Sequence, residues 1–385
     1  MKNRIIPESS GFFVGRVWNP KAQGPSVVFI HDNEVLDITS KTVPTLSALF
    51  ELQDPIQYLQ DNIAKAESLG SLNSLAASSQ NQDSTEFKLL APCDLQAIKA
   101  CGVTFAQSML ERVIEEQAGG DAEKAKSIRN IVLGVVGDSL SNIVPGSVTS
   151  EELKKTLQEQ GMWSQYLEVG IGPYAEVFTK SQPMSSVTYG DDVGIHPESH
   201  WNNPEPEIVL AVNSRGQTVG ATLGNDVNLR DFEGRSALLL GKAKDNNASC
   251  SIGPFVRMFD ANYTIDNVRS SEVYLEVTGS DGFRMNGVSS MNQISRDPLN
   301  LVKQTMGENH QYPDGIMLFL GTLFAPTQDR GDSGAGFTHK IYDEVTISNT
   351  ELGSLVNRVN YTNACPPWRF GISALIKNLS QRNLI

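Results

Sequence analysis

Residues 203–210 of the chain read N-P-E-P-E-I-V-L, so two glutamates stand two positions apart just before an apolar run. Side chains alternate between the two faces of a β-strand, and Glu205 and Glu207 are therefore predicted to point to the same side. Two neighbouring carboxylates repel each other and are costly to remove from water, so a compensating positive charge is expected. A divalent cation is the simplest candidate, although a Glu-x-Glu pair alone also fits a solvated strand edge.

A turn signal follows the apolar run and predicts a β-hairpin. Residues 213–216 read N-S-R-G between two apolar stretches, and the second stretch leads to Asp226. The hairpin would return Asp226 towards the two glutamates. Three oxygen ligands on rigid elements, with positions left for water and substrate, suit Mg²⁺ or a similar hard ion.

Composition limits the classes of protein that the chain can belong to. Its 385 residues suggest two domains, and 39% hydrophobic and 7% aromatic residues are typical of a soluble globular enzyme. The formal net charge of −13 argues against a general nucleic-acid or anionic-membrane surface. The four cysteines form no C-x-x-C pair and residues 1–7 contain no long apolar segment, so we expect reduced thiols in a cytoplasmic protein.

The order of the predicted elements indicates a mixed α+β fold that is mainly β. Residues 1–90 are expected to form a small β-containing N-terminal domain, in which the polar segment 68–84 is interpreted as a linker or surface loop. Residues 91–385 would form the catalytic domain, with a helical insertion at about 118–166. Strands of this domain are predicted at residues 97–103, 176–183, 273–277, 316–320 and 344–347.

Six sequence pieces, taken in order, resemble the fumarylacetoacetate hydrolase superfamily. They are G-V-T-F-A at 102–106, F-T-K at 178–180, E-P-E at 205–207, G-N-D-V-N-L-R-D at 224–231, A-K followed by C-S-I-G-P within 243–254, and G-T at 321–322. Each piece alone is weak, but the ordered set is specific. The resemblance covers roughly residues 90–360 and implies this family's β-fold, usually in dimers or larger assemblies, so a homodimer or homotetramer is expected.

The resemblance also implies roles for individual residues. The metal ligands would be Glu205, Glu207 and Asp226, holding Mg²⁺ or else Mn²⁺ or Ca²⁺, with the catalytic Lys244 beside the metal. The candidates for substrate binding are Lys180, Thr322, Ser108 and Arg230. Lys180 also fits a surface charge at a strand end, and Arg230 also fits a structural ion pair with Asp231.

The chain departs from the hydrolases of this family at their H-x-x-E dyad. Residues 108–111 read S-M-L-E, so a serine stands where the imidazole base is expected, and a hydroxyl has no pKa near neutrality. Glu111 and, one turn later, Glu115 are the first candidates for the catalytic base, although both also fit solvated helix charges. His196 and Glu198 are candidates at the hydroxyl end of the substrate.

The residues that lead into the glutamate pair indicate one branch of the family. Residues 195–207 resemble the 2-keto-3-deoxy sugar-acid dehydratases, and the long insertion after Glu111 suits the same branch. The implied reaction of this lyase belongs to pentose and sugar-acid catabolism. A pentonate such as 2-keto-3-deoxy-D-xylonate or -L-arabinonate would be dehydrated to 2,5-dioxopentanoate through a metal-stabilised enolate.

Two alternatives to the dehydratase stay open. A hydrolase would cleave a C–C bond of an acylpyruvate or 2,4-diketo acid, and it would need His196 or His200 in place of the missing imidazole. A protein that shares the fold without catalysing a reaction is the third possibility. In all three readings we expect no nucleic-acid and no membrane partner, and the enzyme readings imply a small-molecule 2-oxo acid as substrate.

Overall fold

The structure is a computed structural model that describes residues 4–7, 11–105, 109, 143–159, 161, 163–324, 326, 328–330 and 336–385. Strands dominate these residues and the helices are short, which confirms the predicted mixed, mainly β fold. No helix within these ranges is both long and apolar enough to span a bilayer. The four cysteines are free and buried.

The elements are numbered in chain order within the described residues. The strands are β1 Phe13–Asn19, β2 Gly24–His31, β3 Glu34–Asp37, β4 Glu67–Ser71, β5 Lys88–Leu90, β6 Ala97–Gly102, β7 Glu176–Ser181, β8 Asp192–Ile195, β9 Asn202–Asn203, β10 Pro206–Val212, β11 Thr218–Asp226, β12 Asn228–Leu229, β13 Cys250–Met258, β14 Glu272–Thr278, β15 Arg284–Ser290, β16 Ile316–Phe319, β17 Glu344–Asn349 and β18 Gly353–Tyr361. The helices are α1 Leu46–Glu51, α2 Pro55–Asn62, α3 Leu72–Gln80, α4 Val148–Glu159, α5 Gln165–Ile171, α6 Arg230–Glu233, α7 Leu240–Lys244, α8 Ile265–Arg269, α9 Pro298–Thr305 and α10 Ile372–Gln381.

Two sheets enclose the main apolar core. The larger sheet has the order β4-β3-β2-β1-β13-β11-β10-β16-β6-β7, with β5 paired to β1 beside this path. The smaller sheet has the order β15-β14-β17-β18-β8. Leu210 of the larger sheet and Leu275 and Ile347 of the smaller one belong to the same cluster of buried side chains, so the two sheets pack face to face.

The predicted hairpin consists of β10 and β11, which lie next to each other inside the larger sheet. Pro206 pairs with Asn225 and Glu207 pairs with Gly224, so the start of β10 lies beside the end of β11. The turn between the strands includes a hydrogen bond from the backbone N–H of Gly216 to the carbonyl of Asn213 at 3.0 Å. This register places the first residue of β10 and the last residues of β11 side by side at the open end of the hairpin.

β10 is buried along its whole length because both of its faces are covered. All seven of its residues are buried. Ile208 and Leu210 face the core between the two sheets, whereas Val209 and Ala211 belong to a second core on the other side of the larger sheet. A strand covered on both faces has a continuous apolar sequence instead of an alternating one, as residues 208–212 do.

The larger sheet continues across the domain boundary predicted at residue 90. β1 pairs with β13, and Val14 lies opposite Val256. The C-terminal helix α10 contacts the same region, where the Asn378 amide donates to the carbonyls of Ala22 and Gln23 at 2.9 and 3.2 Å. The division into two domains stays a prediction. Most of the insertion predicted at about 118–166 lies outside the described residues, and α4 and the start of α5 fall within its last part.

The interpretation of residues 68–84 as a linker or loop is wrong. These residues contain most of β4 and the whole of helix α3. The Ser71 side chain accepts a hydrogen bond from the Ser74 backbone and caps the helix, and Leu72 and Leu75 are buried. Serine and asparagine favour a loop by composition, but serine is also a preferred N-cap, and two leucines three positions apart give a short helix one apolar side.

The burial of α3 predicts a measurable effect on stability. Leu75 is 5% exposed, so Leu75→Ala should lower the free energy of unfolding by about 2 to 5 kcal/mol through the cavity it leaves. The exposed Asn73 on the same helix provides the control, and Asn73→Ala should change the value by less than about 0.5 kcal/mol. Urea denaturation measures both, and equal effects would contradict the packing of α3.

Candidate active site

Three carboxylates meet at the edge formed by the central hairpin. One oxygen each of Glu205, Glu207 and Asp226 lies within 4.8 Å of the others. Glu207 and Asp226 are 3% and 2% exposed, and Glu205 is partly buried. The pairing of β10 with β11 holds the three side chains together, because Pro206 and Asn225, which are neighbours of Glu205 and Asp226, form the last pair of the hairpin.

Hydrogen bonds from the protein fix the orientation of both glutamates. The Asn228 side chain donates to Oε1 of Glu205 at 2.9 Å. The backbone N–H of Gly321, just beyond β16, donates to Oε2 of Glu207 at 2.6 Å. Each glutamate therefore has at least one oxygen held by the fold, and hydrogen bonds to a charged carboxylate are stronger than bonds between neutral groups.

Two buried lysines pair with the carboxylates from different sides. Nζ of Lys180 lies 2.8 Å from Oδ1 of Asp226, and it donates to the carbonyls of Val227 and Lys244 at 3.2 and 3.0 Å. Nζ of Lys244 donates to Oε2 of Glu205 at 3.0 Å and to Oδ2 of Asp226 at 3.1 Å. Asp226 is thus bound by an ammonium group at each oxygen, while Glu207 has neither lysine as a hydrogen-bond partner among the described contacts.

Burial and neighbouring charges shift the pKa values of these groups, upwards for Glu207 and Lys244 and downwards for Asp226. Burial, together with the charges of Asp226 and Glu205, raises the pKa of Glu207 well above its usual value. Burial would also raise the pKa of Asp226, but Lys180 and Lys244 lower it below its usual value. Burial alone would lower the pKa of Lys244, yet Asp226 and Glu205 raise it well above the usual value. Lys244 is therefore a protonated donor at neutral pH.

The donor set fits a hard divalent cation. Carboxylate oxygens are the ligands that Mg²⁺, Mn²⁺ and Ca²⁺ prefer in proteins. With all groups ionised, the three carboxylates exceed the two ammonium groups by one negative charge, and a bound cation would compensate the repulsion that raises the pKa of Glu207. The residues present are thus suited to the predicted metal.

A cavity of about 1100 Å³ lies over the three carboxylates. Of the residues selected from the sequence, the three carboxylates, Lys244, Thr322 and Arg230 line it. The guanidinium carbon of Arg230 lies 4.2 Å from the ring centroid of Trp201, which also lines the cavity. Thr322 brings a hydroxyl group to the cavity, and Lys244, Arg230 and Arg235 bring cationic groups, a combination that suits an acidic substrate.

Three further carboxylates line the cavity and are absent from the sequence predictions, namely Glu176, Glu233 and Asp329. Glu176 begins β7, two positions before Phe178, which lines the same cavity. Strand alternation from the F-T-K piece could have found Glu176. Glu233 ends the four-residue helix α6, and a helix this short gives no periodic signal from which its direction could be predicted.

Other predicted residues lie away from the cavity or outside the described chain. Lys180 is fully buried with its ammonium group bound by the protein, and it does not line the cavity. The His196 ring packs edge-on against Phe232 at 5.1 Å, and Glu198 is exposed; neither lines the cavity. Three predicted residues lie outside the described residues, namely Ser108, Glu111 and Glu115. The roles predicted for these residues stay predictions.

The backbone of Gly321 provides a test of how Glu207 is held. Gly321 has a φ of +89°, and a Cβ atom there would overlap Oγ1 of Thr104. Gly321→Ala should move the N–H that binds Glu207 and weaken Mg²⁺ binding by at least about tenfold. Gly216 is the matched control, because its φ of +75° carries the same backbone strain with nothing within 4 Å of a Cβ. Isothermal titration calorimetry should find the affinity of Gly216→Ala unchanged, and equal losses in both variants would contradict this role.

The raised pKa of Glu207 predicts that metal binding depends on pH. A carboxyl group with a raised pKa keeps its proton to a higher pH than usual, and a metal ligand must lose that proton. Mg²⁺ affinity should therefore fall as the pH decreases from neutrality, and binding should release protons. Calorimetry in two buffers with different ionisation enthalpies measures the release directly. A pH-independent affinity without proton release would be inconsistent with the buried position of Glu207.

Comparisons with known proteins agree with the geometry of the site. No protein-family model matches the chain. The chain is 29% identical over 184 residues to 2-dehydro-3-deoxy-D-arabinonate dehydratase of Saccharolobus solfataricus, a match that covers 48% of this chain and 58% of that protein. It is 29% identical over 202 residues to a probable 2-keto-3-deoxyxylonate dehydratase of Haloferax volcanii, covering 52% of this chain and 66% of that protein. Both matches span less than two thirds of the relative's length.

Solved structures resemble the chain over most of its length. The apo form of 2-keto-3-deoxy-D-arabinonate dehydratase has a TM-score of 0.61 at 20% identity and covers 91% of this chain and 99% of its own. The same dehydratase complexed with magnesium and 2,5-dioxopentanoate has a TM-score of 0.59 at 20% identity, with the same coverage. A fumarylacetoacetate hydrolase from Exiguobacterium antarcticum has a TM-score of 0.54 at 14% identity, again covering 91% and 99%. The chain therefore has the fumarylacetoacetate hydrolase fold, and its curated homologues are 2-keto-3-deoxy pentonate dehydratases.

Proposed function

We propose that the chain is a metal-dependent hydro-lyase that converts a 2-keto-3-deoxy pentonate to 2,5-dioxopentanoate. The carboxylate triad and Lys244 at the base of the cavity support this reaction class. The curated relatives are named as dehydratases of 2-keto-3-deoxy pentonates, and one structural neighbour is described with magnesium and 2,5-dioxopentanoate. The configuration at C4 of the substrate is left open, since the relatives differ in the sugar acid they are named for.

The lining of the cavity favours a dehydratase over a hydrolase. All five histidines of the chain lie in its described part, and none of them lines the cavity. His196 packs against Phe232, and His339 is buried beside Asp343. Hydrolysis of a C–C bond needs a base that activates water near neutral pH, for which imidazole is best suited. Dehydration needs no attacking water, so it is compatible with this lining.

Several residues of the cavity would act together on the acid end of the substrate. A divalent cation held by Glu205, Glu207 and Asp226 would supply Lewis-acid chemistry at the 2-oxo group. Lys244 stays protonated, because its pKa is raised, and it donates to the oxygens of the acid end. Thr322 lines the same cavity and offers a hydroxyl group to the carboxylate of the substrate.

The buried Lys180 stabilises the carboxylate triad without lining the cavity. Its ammonium group binds Asp226 and two backbone carbonyls, so all of these partners of Nζ belong to the protein. We assign it the role of holding Asp226 in its ionised form, in agreement with the lowered pKa of Asp226. The direct substrate contact predicted for Lys180 from the sequence stays a prediction. Glu111 and Glu115 stay predicted bases, and Glu176, which lines the cavity, joins them as a candidate.

Further properties belong to the same proposal. Mg²⁺ is the preferred ion because a structural neighbour is described with magnesium, and Mn²⁺ and Ca²⁺ suit the same oxygen ligands. A homodimer or homotetramer follows from the family resemblance. A cytoplasmic location is supported by four free, buried cysteines.

An activity assay tests the proposed reaction. Incubation of the chain with a 2-keto-3-deoxy pentonate and Mg²⁺ should yield 2,5-dioxopentanoate, which NMR spectroscopy identifies. Glu207→Gln should lower the rate by at least about 100-fold, because a neutral amide is a poorer ligand than a carboxylate. Glu344→Gln, at an exposed position of β17, is the matched control and should keep full activity.

Three outcomes would oppose the proposal. The release of pyruvate from an acylpyruvate, without dehydration of the pentonates, would favour the hydrolase. Failure to turn over either class of substrate despite tight Mg²⁺ binding would favour a binding protein that shares the fold. Unchanged activity of Glu207→Gln would exclude the carboxylate triad from the reaction.

A further inference from the structure

The short helix α5 forms part of the wall of the candidate active site. Gln165, Tyr166 and Val169 line the cavity. Leu167 and Ile171 of the same helix are buried in a small apolar core that also contains a residue of α4. None of the described hydrogen bonds and ion pairs of the carboxylate triad and its two lysines involves α5. The helix therefore bounds the cavity without holding the metal ligands.

The C-terminal end of α5 needs hydrogen-bond donors from outside the helix. The last carbonyls of a helix have no partner within it, and the residue that would next donate to the carbonyl of Val169 is Pro173, which has no N–H. Arg296 supplies these donors. Its Nε and Nη2 atoms donate to the carbonyl of Val169 at 3.2 and 2.8 Å. Nη2 also donates to the carbonyls of Gly172 and Tyr174 at 2.7 and 3.3 Å. A cation at this end also suits the helix dipole.

Arg296 is itself fixed on the turn that follows β6. The backbone N–H and Oγ of the preceding Ser295 both donate to the carbonyl of Thr104 at 2.8 Å. Oγ1 of Thr104 donates to the carbonyl of Leu320, just beyond β16, at 2.7 Å. Arg296 is 2% exposed, so its side chain has little space to leave the carbonyls of α5. The guanidinium thus connects α5 to the larger sheet, which carries the triad.

A second side chain holds the segment that follows α5. Oε1 of Gln304, on α9, accepts a hydrogen bond from the backbone N–H of Ala175 at 3.2 Å, and Nε2 donates to the carbonyl of Pro173 at 3.3 Å. This segment leads directly to Glu176, which lines the cavity. Gln304 is only partly buried, so its replacement disturbs the fold less than that of Arg296.

We propose that Arg296 is a positioning residue for substrate binding, which fixes α5 as the wall against which the carbon chain of the substrate packs beyond the 2-oxo group. The inference rests on the proposed function and adds the residue that keeps this wall in place. The cation and Lys244 hold the carboxylate and the 2-oxo group of any 2-oxo acid. The position of α5 therefore affects only acids that extend further into the cavity.

Two unreactive 2-oxo acids test this assignment. Pyruvate ends at C3, whereas 2-oxopentanoate has the carbon chain of the proposed substrate and no hydroxyl group that can leave as water. Calorimetry with Mg²⁺ present should find 2-oxopentanoate bound at least about tenfold more tightly by the native chain, because its additional carbons are buried against α5. Arg296→Lys keeps the charge but loses the planar group that reaches several carbonyls, and it should reduce this preference to less than about threefold. The affinities for pyruvate and for Mg²⁺ should change by less than about twofold.

Two further variants separate positioning from damage to the fold. Gln304→Met removes both hydrogen bonds of the amide, and its preference should lie between those of the native chain and Arg296→Lys. It decides the question alone if Arg296→Lys does not fold. Arg16→Lys is the matched control, because Arg16 is 4% exposed and also donates to main-chain carbonyls, those of Ala91 and Cys93, but does not line the cavity. It should keep the full preference.

The results distinguish this inference from the proposed reaction. If the native chain does not prefer 2-oxopentanoate, or if the preference survives in both Arg296→Lys and Gln304→Met, the assignment of Arg296 is overturned even where dehydration is observed. An equal loss of affinity for both acids in Arg296→Lys, or a loss of preference in Arg16→Lys, would show a general effect on the fold and would also overturn it. A preference that depends on Arg296 and Gln304 without formation of 2,5-dioxopentanoate would uphold the positioning role and contradict the proposed reaction.

Discussion

The burial of three carboxylates beside two lysines is the constraint on which the site depends. A buried carboxylate needs a cation or donors, and each of the three has them from a different part of the chain. Asp226 has Lys180 of β7, Glu205 has Lys244 of α7, and Glu207 has the backbone N–H of Gly321. The sheet order contributes to this arrangement, because β10 lies between β11, which carries Asp226, and β16, which leads to Gly321. The carboxylate triad is therefore a product of the tertiary fold.

The triad alone does not determine the reaction. It supports chemistry next to a ketone in any enzyme that holds the cation in this way. The product is decided by the groups around it, namely whether a base can activate water and whether the far end of the cavity binds apolar or hydroxylated groups. In this chain the described lining lacks an imidazole and contains three carboxylates besides the triad, namely Glu176, Glu233 and Asp329. The absence of an imidazole from this lining supports the proposed dehydration over hydrolysis.

The hairpin and the triad could be predicted from the sequence, because the patterns that indicate them lie within one short stretch of the chain. Alternation placed Glu205 and Glu207 on one side, and the N-S-R-G turn returned Asp226 to them. The burial of Lys180 could not be predicted, since a lysine at a strand end is usually solvated and its partners are 46 and 64 positions further along the chain. Glu233 was missed because α6 has four residues, and α3 was missed because its serines resemble those of a loop.

The burial of both faces of β10 limits which mutations the protein can accept during evolution. Because its two faces belong to two different cores, a shift of the strand by one residue would exchange Ile208 and Leu210 with Val209 and Ala211, and it would turn both glutamates to the wrong side. A mutation that shifts β10 by one residue would therefore disrupt both cores as well as the position of the two glutamates. Glu233 and Thr322 lie outside the strands and can be replaced without moving β10. Under the proposed function, substitutions at these two positions would change the lining of the cavity and leave the carboxylate triad in place.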